Sequence, residues 1–186
     1  MIKMNNDISS QDLANITFEN GDVYNKAELA EFAKEAVKRL YFDFRDSGEN
    51  ISQVKCTKEL IEKMKEHKDY YRFDKNIDTI SIPYAEAKRS LNTDIGTLVE
   101  VKLSIMFYDN SSNNAEVVSE DDRYWNDSWY IYLKPDVSKN DCTCAKCGAN
   151  MKFDEAKDIL ECDYCGNKVL NAVMNKWRFI DIKVEK

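Results

Sequence analysis

Apolar residues recur at helical spacing early in the chain and predict two helices there. They follow the period of one buried helix face from Ala27 to Phe44. Asn25 followed by Glu28 is typical of a capped helix start, and Gly48 is typical of a helix end. A second amphipathic pattern predicts another helix from about Thr57 to Tyr70.

After residue 74 the apolar period changes to two, which is typical of β-strands. A first strand is expected around Ile80 to Ile82, where Pro83 indicates a sheet edge or a bulge. The clearest alternation runs from Val99 to Phe107. An aromatic strand is expected from Arg123 to Lys134, and a last strand from Val173 to Val184.

Two helices followed by long strands predict an α+β domain with its helices on one face of an antiparallel sheet. Residues 1–24 are polar and are expected to form an extended N-terminal arm, with a short helix near Ser10 to Ala14. The main domain is expected to cover 25–140 and 171–186, with a cysteine-rich insertion at 141–170. Because a single strand cannot fold alone, the last strand is expected to rejoin the main sheet.

The charge and hydropathy of the chain exclude several classes of protein. In 186 residues, 34 acidic side chains outnumber 27 basic ones, for a net charge of -7. This balance argues against binding to nucleic acid or to anionic membrane surfaces, because both depend on basic residues. No apolar run approaches the roughly 20 residues that span a bilayer, and Met1 to Gln11 lacks the apolar stretch of a signal peptide. The sequence predicts a cytoplasmic protein, and leaves open a membrane anchor upstream of it.

Five of the six cysteines lie between Cys142 and Cys165, which favours metal ligands over a disulfide framework. The pairs Cys144/Cys147 and Cys162/Cys165 each have two intervening residues and a following glycine. This spacing lets one tight turn supply two thiolates to zinc, and glycine permits the left-handed backbone that the turn needs. The sequence predicts a zinc ribbon with one structural zinc ion per chain, because four thiolates leave no open position for catalysis. Free or disulfide-paired thiols are the alternative.

The other cysteines are not expected to bind the metal. Cys142 has a spacing that fits neither pair, so it is expected to be a spare thiol. Cys56 is expected to be buried at a helix start, since His67, the only histidine, stands about three turns away on the same predicted helix. Residues 141–170 carry four lysines against six acidic residues, a poor surface for phosphate.

The order of these parts resembles a known family. Two helices precede the segment Asn76 to Ile80, a long strand that reaches Asp109, and the aromatic strand Trp125 to Tyr132. A two-knuckle ribbon and a strand containing Trp177 follow. This order looks like the domain of the mitochondrial import-motor scaffold, translocase of the inner membrane subunit forty-four, and its bacterial relatives. The resemblance covers about residues 25–184.

The family closes its sheet with a strand written roughly W-x-F-x-R. Trp129 matches the tryptophan, Ile131 stands in place of Phe, and Leu133 stands in place of Arg. The resemblance implies the cone-shaped α+β fold of nuclear transport factor two, also called cystatin-like, in which a curved sheet encloses a pocket. It also permits contact with partner proteins and with membranes.

Two functions from different classes fit this fold. Six aromatic side chains are candidates either for core packing or for lining a cavity that binds a protein partner or an amphipathic ligand: Tyr41, Phe44, Phe107, Trp125, Trp129 and Tyr132. We expect a non-enzymatic interaction domain, because the chain has neither a Gly-rich phosphate loop nor a nucleophile motif. The alternative is a small-molecule enzyme that uses a pocket carboxylate, drawn from Asp43, Asp94, Asp109, Asp121 or Asp122. A ribbon protein associated with nucleic acid ranks last on charge.

Overall fold

Two helices and a curved four-stranded antiparallel sheet make up the larger part of the molecule. The computed structural model describes residues 13–51, 54–109, 124–136, 144, 146–154, 159–170 and 176–186. Among these residues the fold is α+β, as predicted, with a separate small sheet that carries the cysteine pairs.

Helix α1, Lys26–Asp46, begins and ends where the sequence predicts. The side chain of Asn25 accepts hydrogen bonds from the amides of Ala27 and Glu28 at 2.9 and 3.1 Å, which satisfies donors that the first turn leaves unpaired. At the other end the Ser47 amide bonds back to the Asp43 carbonyl at 2.9 Å. One face of α1 is buried along its whole length.

Helix α2, Lys58–Glu66, is capped by Thr57 but ends four residues before the predicted Tyr70. The following segment turns instead of continuing, and Arg72 adopts a left-handed φ of 61°. The Tyr71 hydroxyl donates to the backbone carbonyl of Ile182 at 3.3 Å, in the last strand of the sheet. Tertiary contacts with that strand therefore override the local helical pattern.

The main sheet consists of four strands: β3 (Thr79–Thr93), β4 (Gly96–Tyr108), β5 (Tyr124–Pro135) and β9 (Trp177–Glu185). They lie in the order β3–β4–β5–β9, with every neighbouring pair antiparallel. Strand β9 pairs with β5, with Ile182 opposite Ile131. The last strand therefore belongs to the main sheet, as the sequence predicts. Residues 137–175, between β5 and β9, contain the cysteine pairs.

Strand β3 is much longer than the sequence predicts. It continues from the expected segment to Thr93 and joins β4 through a tight turn in which Thr93 is opposite Gly96. The register shifts between Ser81 and Tyr84, around Pro83, and β3 is an edge strand, so both readings of that proline are confirmed. Only a short stretch of β3 alternates cleanly, which explains why the pattern missed the rest.

The described part of the N-terminal region is a hairpin of β1 (Asn15–Thr17) and β2 (Val23–Asn25), where an extended arm was expected. Phe18 is buried, and Tyr24 packs its ring on Trp177. The apolar positions of this region therefore belong to the main core. The short helix expected near Ser10 to Ala14 falls mostly outside the described residues.

One continuous core lies between the helices and the inner face of the sheet. It is rich in aromatic rings, with Tyr41 of α1 lying 5.3 Å from Phe73 and 5.2 Å from Phe107 between ring centroids. Among the described residues no helix is long and apolar enough to cross a membrane. The second sheet consists of β6 (Met151–Asp154), β7 (Ile159–Cys162) and β8 (Lys168–Leu170), paired antiparallel in that order.

Candidate functional site

The two cysteine pairs lie in matching turns, each closed by a glycine amide. Gly148 N–H donates to the Cys144 carbonyl at 2.7 Å, and Gly166 N–H donates to the Cys162 carbonyl at 2.9 Å. The φ angles of the two glycines are 75° and 67°, a conformation that costs a residue with a side chain about 1–2 kcal/mol. No atom lies within 4 Å of the place where a Cβ would stand on either glycine. The backbone conformation, rather than lack of space, requires glycine here.

The turns bring the four predicted cysteines together. Their Sγ atoms all lie within 4.8 Å of one another, and the pairs Cys144–Cys165 and Cys147–Cys162 are each 3.5 Å apart. Thiolates placed about 2.3 Å from a central ion in a tetrahedron have sulfur–sulfur edges of roughly 3.8 Å. The cluster therefore has the size and the donor set of a four-coordinate metal site.

Backbone amides favour the thiolate form of the first cysteine in each pair. Burial by itself favours the neutral thiol of Cys144, yet the amides of Cys147 and Lys146 donate to it and lower its pKa to about 6. The amide of Cys165 lowers the pKa of Cys162, against the effect of burial. Thiolate is the form that binds metal, so the turns favour both the geometry and the protonation state of a metal ligand.

Among the side chains that the structure describes, the ribbon has a very small core apart from its sulfur atoms. Its buried cluster consists of Cys144, Met151 and Cys162, with Ala149 and Cys165 packed against it. Small domains that cannot bury enough apolar surface depend on disulfides or metal ions for their fold. The cysteine cluster is thus the main element that can hold the described parts of the ribbon together.

No protein-family model, curated protein or solved structure matches this chain.

The chemistry of the cluster follows from its donor atoms. Four sulfur donors fill a tetrahedral shell and leave no position for water or substrate, whereas a catalytic zinc site keeps one position open. A metal ion held by all four cysteines is suited to a structural role.

The six aromatic candidates do not form one open surface. Tyr41, Phe44, Phe107 and Trp129 are buried in the core between α1 and the sheet. The ring of Tyr41 contacts Phe107, and Phe107 in turn lies 6.0 Å from Trp129 between centroids. The structure places these four rings in the core, because the helical period of α1 and the alternation of the strands turn them towards each other. They are therefore not available to a partner in this conformation.

Trp125 and Tyr132 are half-buried, and they lie on opposite faces of β5. Trp125 packs against the core under the guanidinium of Arg72, 5.8 Å from its ring centroid. Tyr132 lies on the outer face, and its hydroxyl donates to Glu100 at 3.0 Å. Burial and this hydrogen bond raise the pKa of Tyr132 to about 12.

The carboxylates proposed for the enzyme alternative are scattered over the fold. Asp43 is buried on α1, Asp94 is exposed in the turn between β3 and β4, and Asp109 follows the end of β4. Asp121 and Asp122 lie outside the described residues.

Of the thiols outside the cluster, Cys56 is buried, as expected, which raises its pKa to about 12. Cys142 also lies outside the described residues.

Sequence reasoning missed a buried ion pair between Arg72 and Asp127. The guanidinium donates from Nε to one carboxylate oxygen of Asp127 at 2.5 Å and from Nη2 to the other at 2.6 Å, and Asp127 is 1% exposed. The Arg72 carbonyl also accepts a hydrogen bond from Tyr41 at 2.9 Å. A signal was present, because Asp127 shares the inward parity of Trp129 and Ile131 and so is an acid on the apolar face of its strand.

A cleft of about 330 Å³ was also missed, because distant segments form it. Val23 and Tyr24 of β2, Phe32 of α1 and Trp177 of β9 give it an apolar lining. The rings of Tyr24 and Trp177 meet edge to face with centroids 4.8 Å apart. Pockets that bind small molecules are usually concave and mainly apolar, with a few polar groups at defined positions.

The polar groups of the cleft come from two places: Asn25 and Glu28 at the start of α1, and Asp136 and Lys176 where β5 ends and β9 begins. The Asp136 amide donates to the Lys176 carbonyl at 2.7 Å, which holds the two chain segments together. The Asp136 carboxylate pairs with Lys55 at 3.1 Å and with Arg178 at 2.9 Å. None of the five acids proposed for catalysis is among the described residues that line the cleft.

Proposed function

We propose that the cysteine cluster binds one zinc ion that stabilises the ribbon and takes no part in a reaction. The observation that supports this function is the compact group of four sulfur atoms, all within 4.8 Å of one another, in two glycine-closed turns. Iron also accepts four tetrahedral thiolates. We propose zinc because four cysteines in a closed tetrahedron are the usual ligand set of a structural zinc ion.

Metal analysis of the purified protein tests the zinc proposal. We expect close to one equivalent of zinc per chain and a sharp loss when Cys144 or Cys162 is replaced by serine. Cys142→Ser is the matched control and should keep the metal. Iron with visible thiolate-to-metal absorption, or retention of zinc by both ligand variants, would contradict the proposal.

The larger domain is proposed to be a non-enzymatic binding domain of the cone-shaped, nuclear transport factor two-like type. Support for the fold comes from two helices packed on one face of a curved antiparallel sheet, and from the ribbon between β5 and β9. The proposed kinship with the import-motor scaffold rests on the same order of parts. In this proposal the bound molecule is a protein partner or an amphipathic ligand.

The cleft is the proposed site for an amphipathic ligand. Tyr24, Phe32 and Trp177 would contact its apolar part, while Glu28 and Lys176 offer opposite charges at the polar side. By contrast, the buried carboxylate of Asp127 has both oxygens paired with Arg72. A carboxylate held in this way is not placed to exchange a proton with a ligand, and this is the observation about Asp127 that supports the proposal of binding.

A matched pair of exposed apolar residues tests the cleft. Val23 lines it and is 58% exposed, whereas Ile95 lies in the turn between β3 and β4 and is 48% exposed. We expect Val23→Lys to weaken binding of laurate, dodecylamine or octyl glucoside, whichever binds the native protein, while Ile95→Lys leaves it unchanged. Native mass spectrometry and tryptophan fluorescence would measure the affinity. If none of the three amphiphiles binds, or if both variants bind equally well, the cleft is not the site.

A further inference from the structure

The main sheet has a second face on which no helix packs within the described part of the chain. Both helices pack on the inner face, where they share one core with strand residues such as Val101 of β4 and Ile131 of β5. On the outer face stand five of the chain's ten tyrosines. They are Tyr84, Tyr108, Tyr124, Tyr130 and Tyr132, placed there by the register of β3, β4 and β5. Tyrosine is enriched in protein interfaces, where one ring offers apolar area and a hydroxyl.

Two lysines lie over tyrosine rings on this face, one on the inner strand β4 and one on the edge strand β9. Lys102 of β4, Tyr130 of β5 and Lys183 of β9 are direct register partners across three neighbouring strands. The ammonium of Lys102 lies 5.4 Å from the Tyr130 ring centroid, and that of Lys183 lies 5.2 Å from the Tyr132 centroid. These contacts are attractive, and neither ammonium forms an ion pair with a carboxylate of the described residues, so its hydrogens can bind an anion.

The carboxylates of the same face already have partners. Glu100 accepts from Arg89 at 3.2 Å and from Tyr132, and Glu185 accepts from the Tyr130 hydroxyl at 3.1 Å. Glu86 is paired with Lys88 at 2.6 Å, and Asp181, opposite Tyr132, is paired with Lys63 at 2.7 Å. Because a hydroxyl donor does not neutralise Glu185, two ammonium groups face one carboxylate without a cationic partner among the described residues, and the balance of this face is positive on a chain whose net charge is -7.

We infer that the outer face of the main sheet, around Lys102 and Lys183, binds an acidic segment of another protein. Its carboxylates would pair with the two ammonium groups, and its apolar side chains would lie on the exposed rings of Tyr84 and Tyr124. Both lysines are already held over rings, so binding orders less side-chain freedom than two free lysines would require. This inference extends the proposed binding role to a protein partner and does not depend on the cleft.

Single-stranded nucleic acid fits this face less well. Bases bind such sheets by stacking on open aromatic rings, but here ammonium groups cover the rings of Tyr130 and Tyr132. Affinity for a phosphate chain also rises with the number of cations that displace counterions. Two lysines on a strongly acidic chain provide little of that energy.

A charge reversal with a matched control tests the inference. The probe is a short fluorescent peptide in which glutamate alternates with tyrosine, followed by fluorescence anisotropy. We expect the double variant Lys102→Glu/Lys183→Glu to bind it at least roughly tenfold more weakly. The control, Lys34→Glu/Lys38→Glu on α1, where the two lysine side chains are 25% and 40% exposed and lie away from the outer face of the sheet, changes the net charge by the same amount and should bind normally.

Three results would overturn the inference. They are no binding of the peptide by the native protein, equal losses in both double variants, and tighter binding of a single-stranded oligonucleotide than of the peptide. The cleft variant Val23→Lys should bind the peptide normally. Failure of the cleft proposal and failure of the sheet-face inference therefore give different results.

Discussion

The ion pair between Arg72 and Asp127 makes the most quantitative prediction about stability. The Asp127 side chain is 0% exposed and that of Arg72 is 11% exposed, so neither charge has much access to water. Removing one partner of such a pair leaves an uncompensated buried charge and typically costs 3–5 kcal/mol. Replacing Arg72 by methionine keeps much of the aliphatic stem while it removes every donor to the carboxylate.

We therefore expect Arg72→Met to lower the free energy of unfolding of the main domain by about 3–5 kcal/mol. This is a large fraction of the roughly 5–15 kcal/mol that stabilises an ordinary domain. Lys63→Met is the control, because its ion pair with Asp181 has both side chains 35% exposed. An exposed pair of this kind contributes about 0–1 kcal/mol.

Urea unfolding followed by tryptophan fluorescence measures this difference. All three tryptophans, Trp125, Trp129 and Trp177, belong to the main domain, so the signal does not report on the ribbon. The double variant Arg72→Met/Asp127→Leu should recover most of the loss, because it removes the unpaired charge itself. The reasoning is refuted if Arg72→Met costs no more than Lys63→Met, or if the double variant is less stable than Arg72→Met.

Three further predictions concern the ribbon and the core. A strong chelator should abolish the dispersed amide resonances of the ribbon and leave the fluorescence melt of the main domain unchanged, since the buried cluster of the ribbon has three members among the described side chains; a parallel fall of both signals would contradict this. Gly166→Ala should weaken zinc binding by roughly tenfold in a competition titration, because alanine at a φ of 67° costs about 1–2 kcal/mol; unchanged affinity would show that the turn tolerates a side chain. Trp129→Ala should cost about 3–5 kcal/mol in guanidinium unfolding, and the half-buried Trp125→Ala clearly less; equal losses would contradict the burial of Trp129.

The sequence by itself was sufficient for features that depend on neighbouring residues. The cap at Asn25 and the helical period after it define α1, because both act within one or two turns of backbone. The two-residue spacing of the cysteine pairs and the following glycines define the knuckles for the same reason. Alternation along Val99 to Phe107 predicted a strand, although its ends at Gly96 and Tyr108 depend on pairing with β3 and β5.

Whether an aromatic residue is core or surface was decided by the tertiary structure. Periodicity places Tyr41 and Trp129 on the apolar faces of their elements. However, a helix or strand face that lines an open pocket has the same apolar period as a face that is packed in the core. In the folded chain, Tyr71 and Phe73 of the segment after α2 pack among these rings. The predicted helix ended at Tyr70 and no element was predicted for Tyr71 and Phe73, so their contribution to the core could not be foreseen.

The pairing of Asp127 and the cleft likewise exist only in three dimensions. The parity of Asp127 within β5 marks it as an inward acid, but its partner Arg72 lies 55 residues away in the chain. The cleft joins Val23, Phe32 and Trp177, which come from three segments distant in the chain. The local pattern of each segment marks its residue as apolar but does not indicate a cavity. Local hydrogen bonds and periodicity are encoded within a few residues of sequence, whereas charge pairing and cavities depend on the packing of elements far apart in the chain.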